Sequence, residues 1–186
     1  MAFLTDDELK CMGFKSLGKS VKISDKASIY NCNEIELGDH SRIDDFCVVS
    51  GKVKIGRNVH FATHCLVAGG EEGLIFDDFS GLAYSCQIFT RTDDYSGSSM
   101  TNPTVPDKYK FVVKKEMRVG RHAIVGAGSI ILPGVNLAEG TSIGALSLVR
   151  KSTQPWSIYL GNPAKKLKDR KKDLLKLEEL YLIEAL

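Results

Sequence analysis

Apolar residues recur at every sixth position along most of this chain. Counting from Leu37 they are Ile43, Val49, Ile55, Phe61 and Val67; counting from Val119 they are Val125, Ile131, Leu137, Ile143 and Val149. An earlier set in a shifted phase is Ile23, Ile29 and Ile35. After a two-residue insertion near Gly69-Gly70 the register restarts at Ile75 and runs weakly through Gly81 and Gln87. An α-helix repeats at 3.6 residues and a flat strand at two, so neither generates such columns. A β-solenoid does, because each unit is a short strand plus a turn with one apolar side chain inward. Small residues mark the turns, as in "VGAGSI" (125–130) and "IGALSL" (143–148), where glycine supplies backbone freedom. Three units per coil use about 18 residues, which gives about six coils. An all-β sandwich would not produce two independent columns at this period.

The ends read differently. Thr5 with Glu8 forms a capping-box pattern that predicts a short helix over 6–12. From Pro163 the sequence "PAKKLKDRKKDLLKLEELYLIEAL" favours helix, with Leu167, Leu174, Leu177 and Tyr181 on one face to pack on the solenoid or a neighbouring subunit. The predicted organisation is an N-terminal lead-in over 1–20, a solenoid over 21–162 and a C-terminal helix over 163–186. Residues 91–117 break the solenoid: no column survives there, and the stretch holds Gly97, Pro103 and Pro106. Loops of this length are functional or disordered, and a return in phase at Val119 favours function.

Composition narrows the class. Apolar residues make up 43% and charged residues 26%, as in ordinary globular chains, and a net charge of +2 is too small for bulk attraction to nucleic acid. No apolar run reaches the length of a membrane span, and the start lacks the pattern of a signal peptide. The five cysteines (11, 32, 47, 65, 86) are odd in number without a C-x-x-C pair. That pattern predicts buried free thiols in a reducing compartment, with the cytoplasm as default.

"VGAGSIILPGV" (125–135), "EGTSIGALSLV" (139–149) and "SIYLGNPAKKLKDR" (157–170) resemble the closing coils and exit of hexapeptide-repeat acyltransferases. The likeness covers nearly all of 21–170. It implies a left-handed parallel β-helix of about six coils with an excursion loop and a C-terminal helix. It also implies a homotrimer with sites between subunits and acetyl-CoA as donor, with no metal. "IYNCNEIELGDHSRIDDFCVVSG" (29–51) and "DDYSG…TNPTVP" (93–106) are similar to the branch found in bacterial surface-polysaccharide and O-antigen gene clusters. The implied activity is transfer of an acetyl group to a hydroxyl or amino group of a nucleotide-linked or polymer-linked sugar.

Such transfer needs an acceptor placed in line with the thioester, a base for its proton and a donor for the developing oxyanion. Galactoside and maltose acetyltransferases carry a threonine-rich segment followed by a catalytic histidine; here Thr90-Arg91-Thr92 is followed by Asp93 and Asp94. Asp93 is the first candidate for base or for orienting the acceptor. Asp94 either shares that role or caps a turn. His64 is the competing base, with His60 a further acceptor contact; His40 and His122, at turn positions, are expected to be exposed. Tyr95, Ser96 and Asn102 are candidate partners for the sugar. An amine acceptor would lessen the need for a strong base. By resemblance, Ala127 and Ala145 sit where the backbone meets the pantetheine arm, and Arg150, Lys151, Lys165 and Lys168 meet the nucleotide end of the coenzyme. Lysine there keeps charge for phosphates without the bidentate geometry of arginine. Trp156 and Tyr159 are expected to pack the last coil. Two other readings stay open: a γ-type carbonic anhydrase, which needs three converging histidines on zinc, and an inactive solenoid serving in assembly.

Overall fold

The structure, a computed structural model describing residues 2–184, is a parallel β-solenoid of about seven turns with a C-terminal helix. Each of the first five coils lays one short strand on each of three faces. The first face is a five-stranded sheet from Ser16–Leu17 to Met117–Val119. The second is eight-stranded, running in parallel from Lys22–Ile23 to Ser157–Leu160 and ending on an antiparallel strand, Lys165–Asp169. The third is six-stranded, from Ser28–Ile29 to Leu148–Val149. Successive coils stack in register, Leu37 on Ile55, Ile43 on Phe61 and Val49 on Val67. A period of six along the chain thereby becomes a vertical column in space. Every member of the two columns is buried.

The register differs from the sequence reading in two places. Ile55 pairs with Phe76, so three residues, not two, are inserted before that coil. The inward residues are Phe76, Leu82 and Ile88, while Ile75 and Gly81 are half-buried and Gln87 is exposed. Strand alternation explains the miss: Leu74 and Phe76 point in and Ile75 between them points out. In the first coil Leu17 pairs with Leu37 and Ile29 with Val49, so pairing begins at Ser16 rather than after residue 20. A 3₁₀ turn at Cys32–Glu34 makes the shift, and both Ile35 and Leu37 face inward.

Three of the five cysteines form a ladder inside the corner that joins the second and third faces. Cys47 Sγ donates to Ala62 O at 3.0 Å, Cys65 Sγ to Ala83 O at 3.1 Å and Cys86 Sγ to Gly126 O at 3.2 Å; Ser129 Oγ continues to Gly144 O at 3.0 Å. Each thiol satisfies a corner carbonyl of the next coil, which accounts for buried, free cysteines. Cys11 and Cys32 depart from the expectation: Cys11 is exposed and Cys32 half-buried.

At the N-terminus, helix α1 (Asp6–Cys11) opens on the capping box: Thr5 Oγ1 accepts from Glu8 N, and Glu8 accepts from Thr5 N at 2.7 Å. Its Leu9 is buried in the solenoid core. At the other end the helix predicted from Pro163 starts later. Lys165–Asp169 is instead a strand, returning antiparallel along Ser157–Leu160, and helix α2 spans Leu174–Glu184. Helix propensity is worth only tenths of a kcal/mol per residue, whereas the last rung of a sheet leaves a row of unpaired amides and carbonyls. Residues 185 and 186 lie outside the described residues.

Helix α2 lies on the corner between the first and second faces. Glu178 binds Arg121, its Oε2 accepts from His122 Nε2 at 2.8 Å, and Tyr181 Oη accepts from Asn58 Nδ2 at 3.0 Å. His122, expected to be exposed, is therefore buried, its ring stacked on Phe79 with centroids 5.4 Å apart. The packing face of α2 is made by Leu174, Leu175, Glu178, Tyr181 and Leu182, with the Tyr181 ring edge-on to Phe79, while Leu167 and Leu177 are exposed. Trp156 packs beneath, on Gly140, whose φ is +66° and where a Cβ would lie 2.4 Å from the indole. Tyr159 packs against the core.

Candidate active site

The corner between the second and third faces is the one that gathers unpaired chemistry. Five residues stack there in left-handed conformation, one per coil: Phe46, His64, Ser85, Gly128 and Leu146, with φ of 60°, 66°, 58°, 69° and 56°. The Phe46 and His64 rings stack at 5.0 Å and 16°, and both residues are exposed. No hydrogen bond occupies the His64 ring nitrogens among the described residues. Ser85 is exposed beside Tyr84. Higher on the same corner, Ala127 is half-buried and Ala145 exposed. Leu146 N donates to Ala127 O at 2.8 Å, but the Ala127 and Ala145 amides have no acceptor among the described residues. At the C-terminal end Arg150, Lys151, Lys165 and Lys168 are exposed and form no ion pair among the described residues. Ala164 N bonds Leu148 O at 2.8 Å, which brings Lys165 to the same end as Arg150. The corner thus offers, in order, an aromatic ring, an imidazole, a hydroxyl, two free amides and a set of free cations.

His60 stands on the adjoining second face. Its Nε2 lies 2.9 Å from Asp44 Oδ2, while Arg42 Nε donates to Asp44 Oδ1 at 2.6 Å. Burial pushes the Asp44 carboxyl up, but the bonds from Arg42 and His60 outweigh it and hold the group below its ordinary value. His60 borders a groove of about 370 Å³ floored by Ala62, Gly81 and Ala83, with Tyr84 and Ile124 at its edges. Sequence reasoning missed Asp44 and Ser85. The signal for Ser85 was present: it takes the place of His64 one coil on, once the three-residue insertion is counted.

Asp93, Asp94, Tyr95, Ser96 and Asn102 belong to the excursion, which leaves at the third corner. Its neck is a short antiparallel pair, Arg91 opposite Lys114 and Thr92 opposite Val113. Asp94 accepts from Ser96 N at 2.8 Å, Ser99 N at 3.0 Å and Ser99 Oγ at 3.3 Å, so it organises the loop. Asp93 Oδ2 accepts only from Asn102 N, at 3.2 Å, and keeps acceptor capacity. Tyr95 is 92% exposed, its ring projecting into solvent. Within one chain Asp93 and His64 are not brought together, since they leave different corners of the coil.

Residues 34–69 match the family "Bacterial transferase hexapeptide (six repeats)". Over its full length the chain is 41% identical to the dTDP-4-amino-4,6-dideoxy-D-glucose acyltransferase of Escherichia coli, of which 98% is covered. The chain belongs to the hexapeptide-repeat acyltransferases. Among solved structures it is 43% identical to AntD, an N-acyltransferase from Bacillus cereus in complex with dTDP and 3-hydroxybutyryl-CoA. That match has a TM-score of 0.97 and covers 98% of this chain and 97% of AntD. A maltose O-acetyltransferase from Clostridium difficile 630 is 20% identical with a TM-score of 0.57, covering 91% of this chain and 79% of the other, a likeness of fold alone.

Two of the histidines are held by carboxylates of the chain itself. His122 is held by Glu178 beneath α2 and His60 by Asp44. Among the described residues, no group of three or more His, Cys, Asp or Glu is arranged to hold a metal, and no helix is long and apolar enough to cross a membrane.

The loop carries a pH prediction. Hydrogen bonds from Ser96 and Ser99 hold the Asp94 carboxyl below its ordinary 3.8. A depressed carboxyl contributes order that is fully present above the ordinary value and is lost as pH falls through the lowered one. Amide exchange at Ser96 and Ser99, corrected for intrinsic rates, should show protection at pH 5 that fades only below pH 3.8. Asp94→Ala should remove that protection at every pH; equal protection in the variant would show that Asp94 does not organise the loop.

Proposed function

We propose that this enzyme transfers an acetyl group from acetyl-CoA to the amino group of a dTDP-linked 4-amino-4,6-dideoxy sugar. The carrying observation is that the likeness to AntD runs through the excursion loop as well as the solenoid, across 98% of the chain. A serine-substituted AntD was solved with dTDP-4-amino-4,6-dideoxyglucose and coenzyme A, and other AntD variants are altered at an aspartate. Both residue types are present in this chain: Ser85 is exposed on the corner between the second and third faces, and Asp93 in the loop accepts only from Asn102 N among the described residues.

The proposed assembly is a homotrimer of left-handed solenoids. It resolves the separation of Asp93 from His64, because the loop of one subunit meets the second corner of the next. The pantetheine arm lies along Ala127 and Ala145, whose free amides donate to its carbonyls, and Arg150, Lys151, Lys165 and Lys168 take the phosphates. The neutral amine of the sugar attacks the thioester carbonyl. The Ser85 hydroxyl or a corner amide donates to the oxyanion, and Asp93 holds the amine and takes its proton as the thiolate leaves. His64 and His60 border the acceptor, with Asp94, Tyr95, Ser96 and Asn102 shaping its side of the cleft. An aspartate suffices where a histidine serves hydroxyl acceptors, since an amine loses its proton after attack rather than before it. A cytoplasmic setting fits a nucleotide-sugar acceptor.

A thiol-release assay with acetyl-CoA tests the reading across dTDP-linked amino sugars, their hydroxyl counterparts and free sugars. Release is expected only with the dTDP-linked amines. Faster release with free maltose or galactosides would refute the acceptor class.

A further inference from the structure

The excursion loop is tied to the solenoid mainly at one place. The three residues inserted before the fourth coil swell the turn Gly69–Gly73 into a bulge, and this bulge holds both limbs of the neck. On the entry limb, Arg91 grips Glu72 with two parallel bonds, Nε to Oε2 at 2.8 Å and Nη2 to Oε1 at 3.2 Å. The same Nη2 lies 3.0 Å from Glu71 Oε2. The Glu72 side chain is 14% exposed. Thr90 Oγ1 adds a longer bond to Glu72 Oε2 at 3.4 Å, and Thr90 N is fixed on Ala68 O at 3.0 Å. On the exit limb, Met117 N donates to Gly73 O at 3.2 Å and Lys115 N to Thr90 O at 2.9 Å. Gly70, with φ of +56°, is shaped for this clamp: a Cβ there would lie 2.4 Å from Glu72 Oε2 and 2.7 Å from Arg91 Nε.

Beyond the neck, the loop is braced by its own members: Asp94 with Ser96 and Ser99, Asp93 with Asn102, and Phe111 N on Ser99 Oγ at 3.0 Å. Arg91 is two residues from Asp93. A planar fork on a largely buried carboxylate fixes direction as well as distance, which a lysine cannot do. The Glu72 carboxyl is held below and the Arg91 guanidinium above their ordinary values, each chiefly by the other.

We propose that Arg91 and Glu72 are a positioning pair that aims the excursion loop, and with it Asp93, at the acceptor. The bulge in the repeat is thus a functional insertion that supplies the anchor. This rests on the reading that Asp93 meets the sugar, and the test separates the two.

Arg91→Lys, Glu72→Gln and the exchanged pair Arg91→Glu with Glu72→Arg are compared with the full-length enzyme. Loss of aim should lower kcat/KM for the amino-sugar acceptor about 10- to 100-fold, with KM for acetyl-CoA within about twofold, and the exchanged pair should recover part of it. Chymotrypsin, cutting at Tyr95, Tyr109 and Phe111, gives a readout independent of turnover: cleavage in the loop should quicken in both single variants. Should the native enzyme turn over no amino sugar, the proposed function fails, and cleavage alone still judges the clamp. Unchanged loop cleavage would overturn the proposal. So would a fall in global melting temperature with the acceptor KM and kcat of the folded variant intact, which would assign the pair to solenoid stability.

Discussion

Asp93→Asn should lower kcat/KM for the dTDP-linked amino sugar by roughly 10²–10⁴-fold, the range associated with a positioned general base. The substitution keeps an oxygen for the 3.2 Å bond from Asn102 N, so the loop fold should survive. What it removes is the negative charge proposed to steady the amine and then accept its proton. Acetyl-CoA should bind as before, because the free amides of Ala127 and Ala145 and the cations at the C-terminal end are untouched. His64→Asn is the matched control from the corner that the proposed trimer sets against the loop. Its ring stacks on Phe46 and makes no hydrogen bond among the described residues, so its loss should raise acceptor KM more than it lowers kcat. Parallel pH–rate profiles decide between them: a limb that disappears in the Asp93 variant and persists in the His64 variant identifies Asp93. The reverse pattern would move the base to His64.

The largest stability effect should come from Phe61→Ala. Phe61 is fully buried in the third coil, edge-on to Phe76 with centroids 4.7 Å apart. Truncating a buried phenylalanine costs about 3–5 kcal/mol through lost transfer energy and the cavity left behind. A solenoid has little means of collapsing around such a cavity, since each coil is pinned by hydrogen bonds to the coils on both sides. Chemical denaturation should show the midpoint shifted with the slope unchanged. A loss under about 1 kcal/mol would mean that neighbouring coils do repack.

Much of the fold was legible because a solenoid converts linear spacing directly into vertical contact. The columns from Leu37 and Val119 needed no tertiary knowledge, and the Thr5–Glu8 box is local. The errors lie where spacing stops being the deciding force. Six-residue counting puts Ile75 inward because it cannot distinguish an insertion of two from one of three when Leu74, Ile75 and Phe76 are all apolar. Lys165–Asp169 reads as helix because its propensity is local, while its strand state comes from the open edge of Ser157–Leu160. His122 looked exposed because its cover, α2, returns from 56 residues away. The candidate site was half visible. The loop acids and the corner alanines follow from resemblance, but Asp44 behind His60 and Glu72 beneath Arg91 appear only when coils are stacked.

The most direct test of the central claim is the chemical form of the product. Proton–carbon correlation NMR of the compound made from acetyl-CoA and dTDP-4-amino-4,6-dideoxyglucose should show one new acetyl group joined through an amide at C4 of the sugar. An ester at a ring hydroxyl, with the amine left free, would contradict the account.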